Sequence, residues 1–321
     1  MPGRAPAAGA RRVILVTVLG GDRAFASFRA ALGDDFDSEL SPTAPRGHGI
    51  AALAVSPSVR LTSGDVAALP DLRVVAATSA GYDHIDVAAV VAAGAYVTNT
   101  PGYCAVEVAD HVIALAGTLL RGLHVADAMM RRGRFSSRAV GARRITGSVL
   151  GVAGLGRTGT LVAQRALSLG MDVLAWAPRT AEATIRALGA RPSSRLEDLL
   201  AASDVVTLHL PLTPATKAII DADALAAMRP GGYLINCGRG ELVDLHALRS
   251  ALEGGHLAGA ALDVYDVEPP PHDHIVFALP NTILTPHLAW LSPQSEFAAY
   301  EMAAQSITDA LTGHPPRHLV R

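Results

Sequence analysis

The chain has 321 residues, half of them hydrophobic and 17% charged, with a formal net charge of −2. The length implies two domains, and the composition suits a large α/β core rather than a disordered chain. The near-neutral charge argues against nucleic acid or a membrane as partner, and two cysteines, Cys104 and Cys237, exclude a disulfide framework and point to a reducing, cytoplasmic setting.

Residues 1–12, rich in Ala, Pro, Gly and Arg, read as a frayed tail. The apolar runs Val13–Val18, Ile50–Val55, Leu72–Ala77 and Ala95–Thr98 read as buried parallel strands. Between the first two, Asp34–Gly49 carries Pro, Gly, Ser and Asp without periodicity and is expected to be a loop. A long helix is predicted over Val106–Arg132; its apolar stretch, Val112–Leu120, is too short to span a bilayer. A second strand series follows at Val149–Ala153, Asp172–Ala177, Val205–Leu210, Tyr233–Asn236, Ala260–Val264 and Thr282–Leu284. Helix signals flank these strands, as in Thr216–Met228 and Leu245–Leu252. A last helix, Pro293–Leu311, comes after the second sheet is complete and is expected to pack back on the first domain. Two consecutive βα series imply two doubly wound parallel-sheet domains with a ligand cleft between them.

The most specific local signal is Gly154-Leu155-Gly156-Arg157-Thr158-Gly159, placed between the Val149–Ala153 strand and a helix-like stretch. Strand, then G-x-G-x-x-G, then helix is the arrangement that holds a dinucleotide pyrophosphate. The first glycine permits the turn, the second lets backbone approach the phosphates, and the third lets helix and strand pack closely.

Three further segments put polar side chains at strand ends, where open α/β sheets place their ligands: Asn236–Gly240, Asp263–Pro269 and Thr285–His287. An Arg, a Glu and a His from these segments form a set with a simple use. Arg239 can hold a carboxylate by a bidentate pair, His287 can give or take a proton, and Glu268 can fix the tautomer of His287 and raise its basicity. Opposite a nicotinamide, that set suits the reduction of a 2-oxo acid or the oxidation of a 2-hydroxy acid. The bland readings are a surface salt-bridge arginine, a loop carboxylate before prolines and a packed histidine. Histidines 48, 84, 124, 246, 256 and 314 are expected in solvent. His272-Asp273-His274 lies in a Pro-rich loop without further clear ligands, so no metal site is expected.

Over residues 50 to 311 the chain resembles the D-isomer-specific 2-hydroxyacid dehydrogenase family. The resemblance is carried by Ser79-Ala80-Gly81-Tyr82-Asp83-His84-Ile85-Asp86, Asn99-Thr100-Pro101-Gly102-Tyr103, the glycine loop, Met228-Arg229-Pro230-Gly231-Gly232, Asn236–Gly240, Ala261–Val264, Glu268-Pro269 and Thr285–His287. It implies a flavodoxin-like substrate domain from residues 1–103 plus 292–321 and a Rossmann cofactor domain from 104–291. It also implies that Arg239 binds the substrate carboxylate, that His287 is the acid/base with Glu268 as partner, and that backbone amides around Ser79, Ala80 and Gly81 hold the carboxylate. Asp263 would orient the nicotinamide carboxamide, and Leu210 and Cys237 would line the cofactor. A homodimer formed through the cofactor domains is a further implication.

Two departures refine this picture. The ribose-binding acid of the family is replaced by Ala177, with Arg179 two residues on, so NADP(H) is favoured while NAD(H) is not excluded. His287-Leu288-Ala289-Trp290, with Tyr103-Cys104 followed by Glu107-Val108-Ala109-Asp110-His111, resembles the C-terminal-binding-protein-like branch, where Trp290 would lie against the substrate side chain, whereas that branch's basic residue is replaced by Ala77 or Thr78. The expected function is an NAD(P)-dependent oxidoreductase of small 2-oxo and D-2-hydroxy acids. The alternative is a dinucleotide-sensing interaction protein with little turnover, which the intact Arg239, Glu268 and His287 disfavour. A formate dehydrogenase is disfavoured by Glu268, since that relative pairs its histidine with Gln.

Overall fold

The computed structural model describes residues 12–17 and 21–320. The tail expected over residues 1–12 lies, apart from Arg12, outside the described residues, as does Val18 at the end of the first expected strand. The chain divides into two compact units: one runs to Cys104 and resumes at Leu291, and the other spans Ala105–Trp290.

The first unit is built on a five-stranded parallel sheet: β1 (Arg12–Val16), β2 (Asp37–Ser41), β3 (Ile50–Val55), β4 (Val74–Ala77) and β5 (Tyr96–Thr98), in the order β2-β1-β3-β4-β5. That is the flavodoxin-like order of a doubly wound sheet. β3 and β4 are buried at every residue, as central strands covered on both faces must be. Helix Pro293–Leu311 returns to this sheet. Its Tyr300, Ala303, Ala304, Ile307 and Ala310 pack with Val13, Leu15 and Phe28 in one buried cluster. The loop expected over Asp34–Gly49 is corrected here, because β2 lies within it and pairs with β1 from Arg12 opposite Asp37 to Val16 opposite Ser41.

The second unit carries a seven-stranded parallel sheet: β6 (Val149–Ala153), β7 (Asp172–Trp176), β8 (Arg191–Pro192), β9 (Val205–Leu208), β10 (Tyr233–Asn236), β11 (Gly259–Leu262) and β12 (Thr282–Leu284). Their order, β12-β11-β10-β9-β6-β7-β8, is that of a Rossmann sheet extended by one strand. The chain winds one way from β6 to β8, then crosses back to β9. The switch point therefore lies between β6 and β9, at the C-terminal end of β6.

The single helix expected over Val106–Arg132 is two, Ala105–Arg121 and Leu123–Arg131, meeting at 62°. Gly122 breaks it in the left-handed region at φ 61°. Among the described residues no single helix is long and apolar enough to cross a membrane. The helix expected over Thr216–Met228 shortens to Ala222–Ala227, opened by Asp221, whose side chain accepts from the Ala224 amide.

Candidate active site

All the site residues expected in the second unit stand at C-terminal ends of its strands. Gly154 to Gly159 join β6 to helix Arg157–Ser168. Gly154 has φ 100°, and a Cβ there would meet the His209 carbonyl oxygen at 2.5 Å, with Leu210 at 3.1 Å. A Cβ on Gly159 would stand 2.0 Å from the Gly154 carbonyl oxygen, so only glycine lets the helix pack this close to the turn. Gly156, in contrast, faces open space, and no side chain caps the helix that starts after it. First-turn amides left in that state suit an anion. Gly156 and Arg157 are exposed and Thr158 is half-buried. Beside this loop lies a crevice of about 290 Å³ lined by Leu155, Thr160, Thr180, Thr184, Ala187 and Leu188. The residues present thus fit a dinucleotide, with the glycine loop at its phosphates. Ala177, at the end of β7, is buried, and Arg179 is exposed.

At the other half of the sheet, β10, β11 and β12 are neighbours, and the loops that leave them meet. Asn236 organises the first: its Nδ2 donates to the Arg239 carbonyl at 2.8 Å and its Oδ1 accepts from the Gly238 amide at 3.0 Å. Arg239 is half-buried, and its Nη1 donates to the Gly238 carbonyl at 2.8 Å. Gly240 then lets this loop touch the next one, because a Cβ would fall 2.0 Å from the Tyr265 carbonyl carbon and 2.3 Å from the Asp266 nitrogen. Contact at that point brings Arg239 near enough for its charge to act on Glu268.

Glu268 bridges two partners. Its Oε1 accepts from the Tyr265 amide at 2.9 Å, and its Oε2 lies 2.6 Å from His287 Nδ1. Burial pushes its pKa up. The hydrogen bond and positive charge of His287, the Tyr265 amide and Arg239 outweigh that and hold it below the usual carboxylate range. An ionised carboxylate only accepts, so Nδ1 of His287 carries the proton and Nε2 is left for other chemistry. Tyr265 is no rival proton donor: burial, with Asp263 and Glu268 nearby, pushes its phenol up to about 12, and its hydroxyl donates to the Thr285 carbonyl at 2.8 Å.

His287 itself has φ 50°, the left-handed region that non-glycine residues adopt at a cost. Its surroundings hold it there. The His287 amide donates to the carbonyls of Asp263 and Thr285 at 2.9 and 3.0 Å. Asp263, 1% exposed, receives the Thr285 hydroxyl at 2.6 Å and the amides of Leu288 and Ala289, each at 2.9 Å. The carboxylate expected to orient a nicotinamide therefore also ties down the turn that carries His287. Cys237, just past β10, packs against the core; burial and then the charge of Asp263 push its thiol pKa well up, which suits a packing residue rather than a nucleophile.

Trp290, half-buried, closes the second unit. The Ser79-Ala80-Gly81 turn belongs to the first unit, directly after β4. There Ser79 Oγ donates to the Gly81 carbonyl at 2.6 Å and Asn99 Nδ2 to the Ala80 carbonyl at 2.7 Å. Among the described residues no cluster of His, Cys, Asp and Glu could hold a metal. Of the histidines expected in solvent, His48, His246 and His314 are exposed, but His84, His124 and His256 are half-buried. The reason is local: His84 Nε2 lies 3.4 Å from the Val55 carbonyl and His256 Nε2 lies 3.0 Å from that of Met228.

A profile for the D-isomer specific 2-hydroxyacid dehydrogenase, NAD binding domain, matches residues 113–289. The chain belongs to the D-isomer specific 2-hydroxyacid dehydrogenase family. It is 36% identical over 305 residues to the D-3-phosphoglycerate dehydrogenase of Mycobacterium bovis, which covers 93% of this chain and 57% of that protein. The chain thus spans little more than half the length of that relative. It is 38% identical over 257 residues to the glyoxylate reductase of Korarchaeum cryptofilum, covering 79% of this chain and 77% of the relative. Among solved structures, the D-lactate dehydrogenase of Aquifex aeolicus complexed with NAD and lactic acid superposes with a TM-score of 0.83 at 29% identity, over 94% of this chain and 96% of that one. This dehydrogenase family contains the NAD-binding domain that the glycine loop announces.

Reading by motif assigns no role to Asn236, Tyr265, His111 or Thr285, all polar residues at this site. His111 Nε2 lies 3.3 Å from Thr285 Oγ1. Thr285 was part of a matched motif, but only the register of β11 against β12, Leu262 opposite Leu284, shows what its hydroxyl meets.

Proposed function

We propose that this chain is an NAD(P)-dependent oxidoreductase interconverting a small 2-oxo acid and its D-2-hydroxy acid. The observation that carries this reading is the 2.6 Å pair of Glu268 and His287, fixed at strand ends next to the Arg239 loop. The names of two relatives support the substrate class, since glyoxylate is a 2-oxo acid and lactic acid a 2-hydroxy acid.

The dinucleotide, when bound at the glycine loop, supplies the hydride exchanged with C2 of the substrate. Arg239 binds the substrate carboxylate and stabilises negative charge forming on the neighbouring oxygen. The backbone amides of Ser79, Ala80 and Gly81 are assigned to the same carboxylate. With Nδ1 engaged by Glu268, His287 protonates that oxygen from Nε2 in the reducing direction and removes the proton in the other. Glu268, held ionised, stabilises the imidazolium that must be present before each reduction. Trp290 is assigned as an aromatic wall for the substrate side chain. Leu210 and Cys237 line the cofactor, and the working form is a homodimer joined through its cofactor domains.

Within this reading NADP(H) is preferred over NAD(H). Ala177 offers no carboxylate to repel a 2′-phosphate, and the exposed guanidinium of Arg179 is available to pair with one. Steady-state kinetics with both cofactors test this preference, and a higher kcat/KM with NADH refutes it. The activity itself is tested by nicotinamide absorbance against a panel of 2-oxo acids. His287→Ala and Arg239→Ala should each lower turnover roughly 10²- to 10⁴-fold in a folded protein. Near-wild-type turnover in either variant overturns the assignment.

A further inference from the structure

The left-handed turn at His287 is held by Asp263, and the bonds around Asp263 continue one residue further, to His111. We propose that His111 is a positioning residue: through Thr285 and Asp263 it fixes the turn that aims the His287 imidazole. This inference rests on the acid–base role given to His287 above.

Proton counting assigns the direction of each bond. The Thr285 hydroxyl has one hydrogen, and it goes to Asp263 Oδ1 at 2.6 Å. Toward His111 Nε2, 3.3 Å away, the same oxygen can therefore only accept. Nε2 of His111 must carry a proton, and it also lies 3.9 Å from Asp263 Oδ1, so the N–H faces both oxygens. Asp263 then spends its accepting capacity on Thr285 and on the amides of Leu288 and Ala289, the two residues that follow His287. His111 sits on helix Ala105–Arg121, whereas Thr285 follows β12 and Asp263 follows β11. One chain of hydrogen bonds thus ties a helix and two strand ends to a backbone conformation that would otherwise relax. Without the His111 proton, the Thr285 hydroxyl is free to turn away from Asp263, and the turn loses its shortest bond.

The test compares His111→Leu with His111→Gln, and Thr285→Val with Thr285→Ser; the second member of each pair keeps the donor or the hydroxyl. Leu and Val should lower kcat by about tenfold to a hundredfold, since a displacement of roughly 1 Å has that effect. KM for the acid substrate should stay within about threefold, because Arg239 is untouched. Gln and Ser should recover most of the loss. The ¹⁵N shift of His287 Nδ1, read through its carbon-bound ring protons, should move in Leu and Val and return in Gln and Ser. Unchanged kcat in His111→Leu overturns the proposal. So do equal losses in Leu and Gln with the His287 shift unmoved, or ¹⁵N shifts placing the His111 proton on Nδ1. If His111→Leu fails to fold, Thr285→Val carries the same comparison. If the wild-type chain turns over no 2-oxo acid with either cofactor, the oxidoreductase reading fails instead, and the His287 shift across the four variants still decides the positioning.

Discussion

Replacing His209 by Gln should flatten the loss of stability that the protein suffers in mild acid. His209 follows the last residue of β9, donates its amide to the Ala153 carbonyl at 2.8 Å, and has its ring Nε2 3.1 Å from Thr207 Oγ1. Burial pushes its pKa from 6.5 down to about 4. Between those two values the folded chain keeps the imidazole neutral while the unfolded chain protonates it. The unfolded state therefore binds more protons, and stability rises with pH across this window and is lost as pH falls from 6.5 towards 4. A shift of that size amounts to about 3 kcal/mol, taking about 1.4 kcal/mol for each tenfold change. Gln keeps a hydrogen-bonding group near Thr207 and does not titrate. Urea unfolding of both proteins from pH 7 to pH 4.5 measures the effect. The wild type should lose about 2 to 3 kcal/mol more than His209→Gln over that range. Other titrating groups, including His124, whose pKa burial also lowers, contribute equally to both and cancel in the difference. Parallel pH profiles for the two proteins would show that His209 does not stay neutral in the folded state.

Two further substitutions test the site's construction. Glu268→Gln removes a carboxylate held below its usual range, whose stabilising effect is present above its unfolded pKa and disappears as pH falls through the lowered folded value. The variant should therefore lose less stability than wild type below about pH 4.5 and turn over roughly tenfold to a hundredfold more slowly; a steeper acid loss in the variant refutes the sign. Gly240→Ala must push the Tyr265-Asp266 backbone away from the Arg239 loop, since the new Cβ would start 2.0 Å from the Tyr265 carbonyl carbon. A drop of about 1 to 3 kcal/mol or more in unfolding free energy, with a raised KM for the acid substrate, is the expected result; wild-type stability and KM would show that the two loops need not touch.

The parts of this fold that could be read from the sequence are those buried on both faces. β3 and β4 are continuous apolar runs because helices cover the sheet on each side, and helix Pro293–Leu311 stands out as a long helical run after the second strand series is complete. β2 was hidden for the opposite reason. Its sequence, Asp-Ser-Glu-Leu-Ser, is polar and partly exposed because it is an edge strand bonded only to β1, and nothing in composition separates such a strand from a loop. β8, two residues long at the other sheet's edge, had the same disguise. The break at Gly122 was masked by apolar residues on both sides of it. In the site, residue type and position after a strand pointed to Arg239, Glu268 and His287, since the chemistry of each is carried by its own side chain. The roles of Asp263, Thr285 and His111 are relational. They exist only once β11 and β12 lie in register and helix Ala105–Arg121 turns His111 toward them, which no motif spacing encodes. A sequence can therefore name the groups proposed to meet a substrate, whereas the hydrogen bonds that hold their turns follow from packing. On the proposed function, it is these contacts, with His287 at φ 50° and the buried Asp263 bonded to the two residues that follow it, that suit the arrangement to moving a proton.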